Sequence, residues 1–324
     1  MIISKTPLRI SFIGGGSDLE DHYQHSEGKV ISSAIDKYIY VIIKERFDDK
    51  IYINYSKKEI INAVDEIEHD LVRESMRKTG IKDSIEITTL ADIPSEGSGL
   101  GSSSTVTVGL LHAFYAYQGE IVTKECLARE ACEIEIDILR KPIGKQDQYI
   151  AAFGGVNQIT FNKDNTVDVE KIELCDEQYR KFGSNILLFY TDKTRKSSEI
   201  LSEQKKNTKE KLDVLKKMVC LVEPFKQNLL NKNYDKLGEL LHQNWNFKKS
   251  LASKITNGQI DNMCQTALKA GAIGCKISGA GGGGFMMFYV PRNKQDNVRE
   301  ALKDYRELPF MLDKYGSRII FDHR

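Results

Sequence analysis

Residues 94–105 read Pro-Ser-Glu-Gly-Ser-Gly-Leu-Gly-Ser-Ser-Ser-Thr, and an apolar helical pattern follows directly from Val106 to Phe114. Three glycines at alternate positions permit tight turns and let a ligand approach the backbone closely, while the serines leave hydroxyls and amides free. The first amides of a helix have no partner inside it, and the helix dipole adds positive potential at that end. The stretch therefore predicts a phosphate-binding loop that opens a helix, and a plain flexible loop is the alternative.

The loop differs from two familiar nucleotide-binding motifs. Its last glycine, Gly101, is followed by Ser102, whereas a Walker A loop has a Lys before its Ser or Thr. It does not match the dinucleotide fingerprint either. The predicted anion is therefore bound by backbone amides and a helix end, without a lysine.

Composition limits the class of protein and of partner. At 324 residues the chain exceeds a typical single domain, so two packed lobes are expected. The net charge of +1, from 47 basic and 46 acidic residues, gives no broad field that would attract nucleic acid or an anionic membrane. The expected partner is a small molecule. The oligomeric state is expected to be a monomer or a homodimer.

Cysteine spacing and hydropathy predict a cytoplasmic protein. The six cysteines form no Cys-x-x-Cys pair, so neither a zinc site nor a disulfide framework is expected, and the thiols are predicted to be reduced. The sequence has no run of 18 apolar residues, so no membrane segment is predicted.

Residue patterns predict a mixed α+β chain. The predicted strands lie at 7–14, 38–47, 50–55, 84–90, 155–161, 186–191, 273–278, 284–290 and 318–322. The predicted helices lie at 58–79, 103–118, 123–140, within a charged stretch at 196–252, and at 259–270 and 294–305. The part after about 190 predicts a second α+β lobe, so the domains are predicted as 1–180 and 181–324.

The first strand and the glycines after it carry two candidate residues. Alternation places Arg9 on the same face as Ser11 and Ile13, and the run Gly14-Gly15-Gly16-Ser17 presents Asp18. An inward-facing arginine needs an anion. The alternatives are a structural ion pair for Arg9 and a turn cap for Asp18.

Two acidic residues follow on and after the predicted helix 123–140. The residues three and four positions from Glu135 are apolar or small, so this carboxylate is predicted to point inward, where it binds a metal ion or forms an internal salt bridge; Glu133 lies on the wet side with Glu130. The turn Pro142-Ile143-Gly144 then delivers Asp147, either as a general base or as a helix N-cap.

A second glycine-rich loop lies between two predicted strands of the C-terminal lobe. Residues 276–285 read Lys-Ile-Ser-Gly-Ala-Gly-Gly-Gly-Gly-Phe, and four consecutive glycines exceed what a hairpin requires. A loop with so little side chain can lie against another backbone or a ligand. We therefore expect this loop to close over the phosphates that residues 94–105 hold.

Taken together, these segments resemble the GHMP kinases, the family that includes galactokinase, homoserine kinase and mevalonate kinase. Residues 7–18, 94–105 and 276–284 are similar in order and spacing to the three motifs of that family. The resemblance implies an α+β fold of two lobes, a ribosomal-protein-S5-like N-terminal domain and a ferredoxin-like C-terminal domain, with the active site between them. It also implies ATP as phosphate donor and Mg²⁺ as cofactor.

The resemblance implies a role for each matching residue. Asp147 and Arg9 match the catalytic residues, and Ser103 with Glu135 matches the magnesium ligands. The ATP phosphates would be bound by residues of the second motif, namely Gly97, Gly99, Leu100, Gly101, Ser102, Ser103 and Ser104. The substrate would be bound by residues of the first and third motifs, namely Gly15, Gly16, Ser17, Asp18 and Gly281.

Substrate choice follows from finer resemblances. Asp18 matches a sugar ligand of galactokinase, but Gly14-Gly15-Gly16 departs from the acidic residue and His found there, which disfavours galactose. The glycine run, residues 145–149 and residues 190–195 most resemble the family members that phosphorylate a heptose 7-phosphate at its anomeric C1 hydroxyl. Lys193 and Arg195, helped by Lys145, are then predicted to bind the 7-phosphate, with ordinary surface charge as the alternative.

Three other functions remain open on the sequence. A fucose- or galactose-type sugar 1-kinase would differ mainly in its acceptor pocket. A diphosphate decarboxylase shares the fold and uses ATP. A non-catalytic sugar sensor of the same fold is the third, although the presence of Arg9, Ser103, Glu135 and Asp147 argues against it.

Overall fold

Two β-sheets, one large and one small, organise the chain into the two α+β lobes that the sequence predicts. The computed structural model describes residues 1–94, 97–192, 197–208 and 210–323. The strands are β1 (Ile2–Ile13), β2 (Gly28–Glu45), β3 (Ile51–Asn54), β4 (Lys58–Ile61), β5 (Ile85–Ala91), β6 (Val156–Phe161), β7 (Val167–Lys171), β8 (Ile186–Tyr190), β9 (Gly274–Ile277), β10 (Phe285–Tyr289) and β11 (Arg318–Asp322). The helices are α1 (Glu20–Tyr23), α2 (Asp70–Thr79), α3 (Ser102–Gln118), α4 (Lys124–Cys132), α5 (Gln146–Phe153), α6 (Asp176–Ser184), α7 (Ser197–Asn207), α8 (Leu212–Val219), α9 (Val222–Leu230), α10 (Tyr234–Lys248), α11 (Gly258–Lys269) and α12 (Gln295–Ala301).

The long strand β2 is the centre of the large sheet. One edge of it pairs with β1 along almost the whole length of both strands, from Ile2 opposite Ile43 to Ile13 opposite Ile31. Its other edge pairs with β5 along one half and with β6 along the other. The large sheet therefore branches, in the order β11-β1-β2-β5-β3-β4 with β6 and β7 beside the first half of β2.

Helix α3 lies against this sheet at very short distance. A Cβ on Gly109 would lie 3.0 Å from the Thr6 hydroxyl and 3.2 Å from a Val41 methyl group, and the Ser4 hydroxyl donates to the Gly109 carbonyl (2.8 Å). This close approach packs α3 along β1, the strand that carries Arg9.

The two lobes share one hydrophobic core. Phe12 of β1 stacks on Phe225 of α9, with ring centroids 5.8 Å apart, and its ring lies 4.9 Å from that of Phe182 in α6. The small sheet, in the order β8-β10-β9, contributes Met287 and Tyr289 to the same cluster. An apolar interface of this kind holds domains in a fixed relative position better than a polar one does.

Several observed elements differ from the prediction. The predicted helix 58–79 begins only at Asp70, because residues 58–61 form the edge strand β4 beside β3. The first half of β2 escaped prediction because residues 30–35 are buried on both faces, so the apolar and polar alternation of a half-exposed strand is absent. Strand β7 and helix α6 were not predicted either.

The last strand has the predicted extent but lies on the other sheet. β11 pairs with β1, with Ile2 opposite Asp322, whereas the sequence pattern predicts residues 318–322 as a strand of the C-terminal lobe. The segment before it runs along the first lobe, where the Ser317 amide donates to the Ala151 carbonyl (2.9 Å). Local residue pattern identifies a strand but not its partner. The boundary at 180/181 falls inside α6 and stays a proposal.

One cysteine pair corrects the prediction of reduced thiols. Cys264 of α11 and Cys275 of β9 form a disulfide, with Cα atoms 6.1 Å apart. The fold places the helix beside the strand, which the spacing of cysteines along the sequence did not indicate. Four further cysteines are free in the described part of the chain: Cys126, Cys132, Cys175 and Cys220.

Among the described residues, no helix has the length and apolar character needed to cross a membrane.

We expect Gly154→Ala to lower the free energy of unfolding by about 3 kcal/mol. Gly154 has φ +68°, and a Cβ there would lie 1.9 Å from the Tyr315 carbonyl carbon, so the backbone that leads into β11 must move. Gly80→Ala is the control for a positive φ without a clash, because φ is +73° and ψ is 13°, and no described heavy atom lies within 4 Å of the added Cβ. The ψ of −178° at Gly154 adds a backbone penalty that Gly80 does not share. The control should cost about 1 kcal/mol, the αL penalty alone. Urea unfolding measures both; equal losses would contradict the assigned contact.

Candidate active site

The site begins with an ion pair between Arg9 and Asp147. The register of β1 against β2 shifts between Pro7 and Arg9, and such a bulge redirects a side chain. The Arg9 guanidinium donates from Nε and Nη2 to the two carboxylate oxygens of Asp147 (2.6 and 2.5 Å) and from Nη1 to the Gly99 carbonyl (2.6 Å). The structural ion pair considered for Arg9 therefore exists, and its partner is the candidate general base. Asp147 lies in the first turn of α5 and is not its N-cap, which is Lys145.

The predicted phosphate loop has the backbone that amide binding requires. Gly97, Gly99 and Gly101 all have positive φ, at 69°, 74° and 83°. Gly101 occupies the N-cap position of α3, and no side chain of the described residues caps that end. A Cβ on Gly101 would lie 3.3 Å from a carboxylate oxygen of Asp147. The open helix end and the candidate base therefore adjoin.

The two glycine loops pack backbone against backbone. A Cβ on Gly99 would lie 2.5 Å from the Ser278 carbonyl oxygen, and one on Gly279 would lie 2.6 Å from the Cα atom of Gly99. The Phe285 amide donates to the Ser98 carbonyl (3.2 Å). The expected contact between the second loop and the first is confirmed. The glycines are required because a side chain at either position would separate the lobes.

Glu135 is fully buried, as predicted, and its carboxylate belongs to a polar cluster. Oε1 accepts from the Ser103 hydroxyl (2.5 Å) and Oε2 from the Gln148 amide (2.7 Å). No described cation lies within 4.0 Å of it, so the salt bridge considered for Glu135 is not observed in the described chain. Burial raises the pKa of Glu135, and its hydrogen bonds lower it less.

The residues around Glu135 fit a magnesium ion. The Gln148 side-chain oxygen is buried and has no hydrogen-bond partner among the described residues. It joins the Glu135 carboxylate and the Ser103 hydroxyl in a set of oxygen donors, the ligand type that Mg²⁺ prefers. Ser103 also lines a cleft to which both glycine-rich loops contribute residues.

A π-helical turn (Glu133–Ile138) surrounds Glu135 and changes the predicted face of the helix. Ile138 is 45% exposed, although α-helical spacing placed it on the buried face with Glu135. Glu130, predicted on the wet side, is buried and accepts from the Tyr115 hydroxyl (2.6 Å). Glu133 pairs with Lys78 (2.7 Å). The wider turn rotates the following residues, and π-bulges often occur at functional sites.

Asp18 lines the cleft on the side of the first glycine run. Its Oδ1 accepts from the Gly16 amide (2.9 Å), which is the turn cap considered from the sequence, and a Cβ on Gly144 would lie 2.0 Å from Oδ2. Burial and the Asp147 carboxylate raise the pKa of Asp18. Gly15, Gly16 and Gly281 line the cleft. The Ser17 side chain points elsewhere, because its hydroxyl donates to the Lys29 carbonyl (3.0 Å).

Two buried lysines in the cleft were missed as functional residues. The ammonium of Lys248, at the end of α10, donates to the Gly279 carbonyl, and that of Lys276, in β9, donates to the Ser11 carbonyl. Burial and the positive Arg9 lower the pKa of Lys248 to about 8, and burial with Lys248 lowers that of Lys276 further below its usual range. A signal existed for Lys248, since it continues the buried helical stripe Leu237, Leu241, Trp245.

Of the three cations predicted to bind a substrate phosphate, only Lys145 belongs to the described residues. Lys193 and Arg195 lie outside the described residues. The Lys145 amino group donates to the Asn165 carbonyl (3.2 Å) and lies 4.8 Å from the centre of the Tyr23 ring. Lys145 does not line the cleft as the described residues define it.

Two family models match this chain, one in each lobe. The family model described as GHMP kinases N terminal domain matches residues 54–155, and the one described as GHMP kinases C terminal matches residues 225–307. A D-glycero-alpha-D-manno-heptose 7-phosphate kinase of Campylobacter jejuni is 30% identical over 320 residues, which cover 93% of each chain. A mevalonate kinase of Pyrococcus abyssi is 27% identical over 330 residues, covering 97% of this chain and 88% of the relative.

A solved structure is similar over the full length. It is described as a D-glycero-D-manno-heptose 1-phosphate kinase from Bacteroides thetaiotaomicron, with a TM-score of 0.84, 27% sequence identity and 100% of both chains covered.

We expect Lys248→Met to be more stable than the unsubstituted protein at pH 7, by about 2 kcal/mol, because it removes a buried charge at nearly constant volume. The folded pKa of Lys248, about 8, lies below its ordinary 10.5. Between these values the unfolded chain binds a proton that the folded chain has released, so the stability of the unsubstituted protein rises with pH. The advantage of the variant should therefore shrink from pH 8 to pH 10.5.

Urea unfolding of both proteins at several pH values measures this difference. Subtracting one free energy of unfolding from the other cancels the titration of groups that both proteins share, such as the tyrosines. Lys249→Met, on the same helical turn but with a side chain 34% exposed, is the control for losing a lysine. A difference that stays constant across the window would contradict the assigned burial of the Lys248 charge.

Proposed function

Because the chain belongs to the GHMP kinase family, we propose that its cleft transfers the terminal phosphoryl group of ATP to the anomeric C1 hydroxyl of a heptose 7-phosphate. Membership establishes the two-lobed GHMP kinase fold expected from the sequence and a phosphotransferase that acts on a sugar alcohol. ATP is the phosphate donor of this family, generally with Mg²⁺. The acceptor and the position phosphorylated are the proposal.

The observation that carries the proposal is the place of the Asp147 carboxylate. It lies between the open N-terminus of α3, beside Gly101, and the cleft residues that extend to Asp18. An acceptor hydroxyl bound there would meet a carboxylate on one side and the nucleotide phosphates on the other. Asp147 accepts or polarises the hydroxyl proton, and the bidentate contact from Arg9 holds its orientation.

The nucleotide side of the site consists of amides and oxygen ligands. The backbone amides of residues 97–104 bind the ATP phosphates, and Ser103 with Glu135 would hold the metal. Magnesium, when bound, neutralises phosphate charge and orients the transferred group. Arg9 offsets the negative charge of the transition state from the acceptor side.

The acceptor assignment draws on relatives and on the sugar side of the cleft. The Campylobacter jejuni relative is named for heptose 7-phosphate and the Bacteroides thetaiotaomicron structure for heptose 1-phosphate, so both names place a phosphate on the acceptor. In this chain Asp18 and Gly15 line the cleft, and the Asp18 carboxyl group offers hydrogen-bonding atoms to sugar hydroxyls. The two names differ in the carbon that carries phosphate, which the product analysis below addresses.

We expect the purified protein, with ATP and Mg²⁺, to convert heptose 7-phosphate into a 1,7-bisphosphate. A phosphorus–proton coupling at the anomeric position, observed by NMR, identifies C1 as the site. Heptose 1-phosphate, free heptose, galactose and fucose are tested in parallel. Transfer to another carbon, or faster turnover of galactose or fucose, would replace the proposed acceptor, and no turnover of any sugar would favour a non-catalytic sensor.

We expect Asp147→Asn to lower kcat by 10²-fold or more, about the size of a lost general base, while ATP binding measured by calorimetry is retained. Asp168→Asn, an exposed position on β7, is the control and should keep full activity. Unaltered kcat in Asp147→Asn would remove this carboxylate from the reaction.

We expect Glu135→Gln to raise the Mg²⁺ concentration for half-maximal rate about tenfold, because a neutral amide replaces an ionised ligand. Glu133→Gln, two residues away and paired with Lys78 outside the cluster, should leave the Mg²⁺ requirement unchanged. Equal Mg²⁺ dependence in the two variants would show that Glu135 has only a structural role.

A further inference from the structure

We propose that Lys248 and Lys276, with the hydroxyls of Ser11 and Ser278, form a second anion site in the cleft, which binds a phosphate group carried by the acceptor. The proposal rests on the function proposed above and adds the residues that recognise a phosphorylated acceptor. All four side chains are at least 95% buried, and all four line the cleft.

The four groups come together from three segments. Lys276 and Ser278 are two positions apart at the end of β9, and therefore project on the same side. The Lys276 ammonium reaches the Ser11 carbonyl on β1, and the Lys248 ammonium reaches the Gly279 carbonyl, next to Ser278. The two lysines are near enough for Lys248 to perturb the titration of Lys276.

These groups have hydrogen-bonding capacity that the described residues leave unused. Each ammonium has three N–H donors, and one contact to a carbonyl is observed for each. The Ser11 and Ser278 hydroxyl oxygens are buried without any hydrogen-bond partner among the described residues. Buried polar groups are normally satisfied, so unpartnered donors that face a cavity indicate a polar ligand.

The charge of the cleft favours an anion as that ligand. No described carboxylate lies within 4.0 Å of the Lys248 or Lys276 ammonium. Of the nearby acids, Asp147 is already bound by Arg9, and Asp18 accepts from the Gly16 amide. Burial disfavours the charged forms of both lysines and lowers the pKa of each, and a phosphate dianion bound between them would offset that penalty.

The proposed site is distinct from the one for the nucleotide phosphates. That site uses the backbone amides of residues 97–104 and the Ser103–Glu135 pair, all from the N-terminal lobe. Three of the four groups of the second site come from the C-terminal lobe, and Lys276 and Lys248 both interact electrostatically with Asp18 on the sugar side. An acceptor that extends from Asp147 to these lysines would therefore carry a phosphate group of its own, separate from the phosphates of ATP.

The first experiment is calorimetry on protein saturated with Mg²⁺ and a non-hydrolysable ATP analogue, so that the nucleotide site is filled. Inorganic phosphate is the probe. We expect saturable binding to the loaded protein, weakened about tenfold or more in Lys248→Met and in Lys276→Met, and kept in Lys249→Met. Phosphate that binds the loaded protein equally in all variants, or does not bind at all, would overturn the proposal.

The second experiment compares the kinetics of heptose 7-phosphate and free heptose. In Lys248→Met we expect the preference for the phosphorylated acceptor, as a ratio of kcat/KM values, to fall tenfold or more, while the KM for ATP changes less than about twofold. Lys249→Met should keep the preference. A rise in the KM for ATP with an unaltered preference would assign the lysines to the nucleotide.

The two proposals fail in different ways. If inorganic phosphate binds the loaded protein through Lys248 but heptose 7-phosphate is not phosphorylated, the anion site stands and the acceptor is a different phosphorylated alcohol. If heptose 7-phosphate is phosphorylated at C1 and all variants keep its preference over heptose, the proposed function stands and the second anion site is wrong.

Discussion

The contact between Gly99 and Gly279 is the constraint on which the rest of the site depends. At this distance backbone lies against backbone, and neither position has room for a Cβ. Because the first loop ends at the N-terminus of α3 and the second begins at the end of β9, their contact fixes one lobe over the other. Arg9 of β1 then donates to the Gly99 carbonyl, and Lys248 of α10 donates to the Gly279 carbonyl. A single pair of glycines thus sets the distance between the phosphate loop and the cations opposite it.

The electrostatics of the cleft follow from this closeness. Burial removes water from Arg9, Lys248, Lys276 and the Asp18 carboxyl group. Among the described residues of the cleft, only Arg9 forms an ion pair, with the partly exposed Asp147. The folded chain therefore holds Lys248 and Lys276 at a cost in stability that a bound anion would offset, and such strain is typical of sites built for ligands. The same effect applies to the negative charge of Glu135. Its carboxylate is buried with the neutral partners Ser103 and Gln148, and this environment favours a bound cation.

The motifs were predictable from the sequence because their chemistry is local. Glycine spacing and a following helix predict positive φ angles and an open helix end without knowledge of the fold, and both are observed. The inward direction of Glu135 follows from its immediate neighbours. The pairing of Arg9 with Asp147 was not predictable, since 138 positions separate them and only the sheet brings them together. Lys248 was missed because it lies near the end of a charged helical stretch, where a lysine is usually solvated. The partner of β11 was missed because a strand pattern does not indicate which strand it pairs with.

Strand β9 shows how the fold makes the site rigid from behind. Adjacent residues of a strand point to opposite faces, so Lys276 faces the cleft while Cys275 faces a buried apolar cluster with Ile277 and Met286 and joins Cys264 of α11. The strand is fixed at its edge by pairing with β10 and on its inner face by a covalent link to a helix. Since the Lys276 ammonium bridges to the Ser11 carbonyl across the lobes, this anchored strand transmits the position of the C-terminal core to β1 and to Arg9. The arrangement of cations in the cleft therefore depends on packing far from any ligand, which local sequence patterns do not reveal.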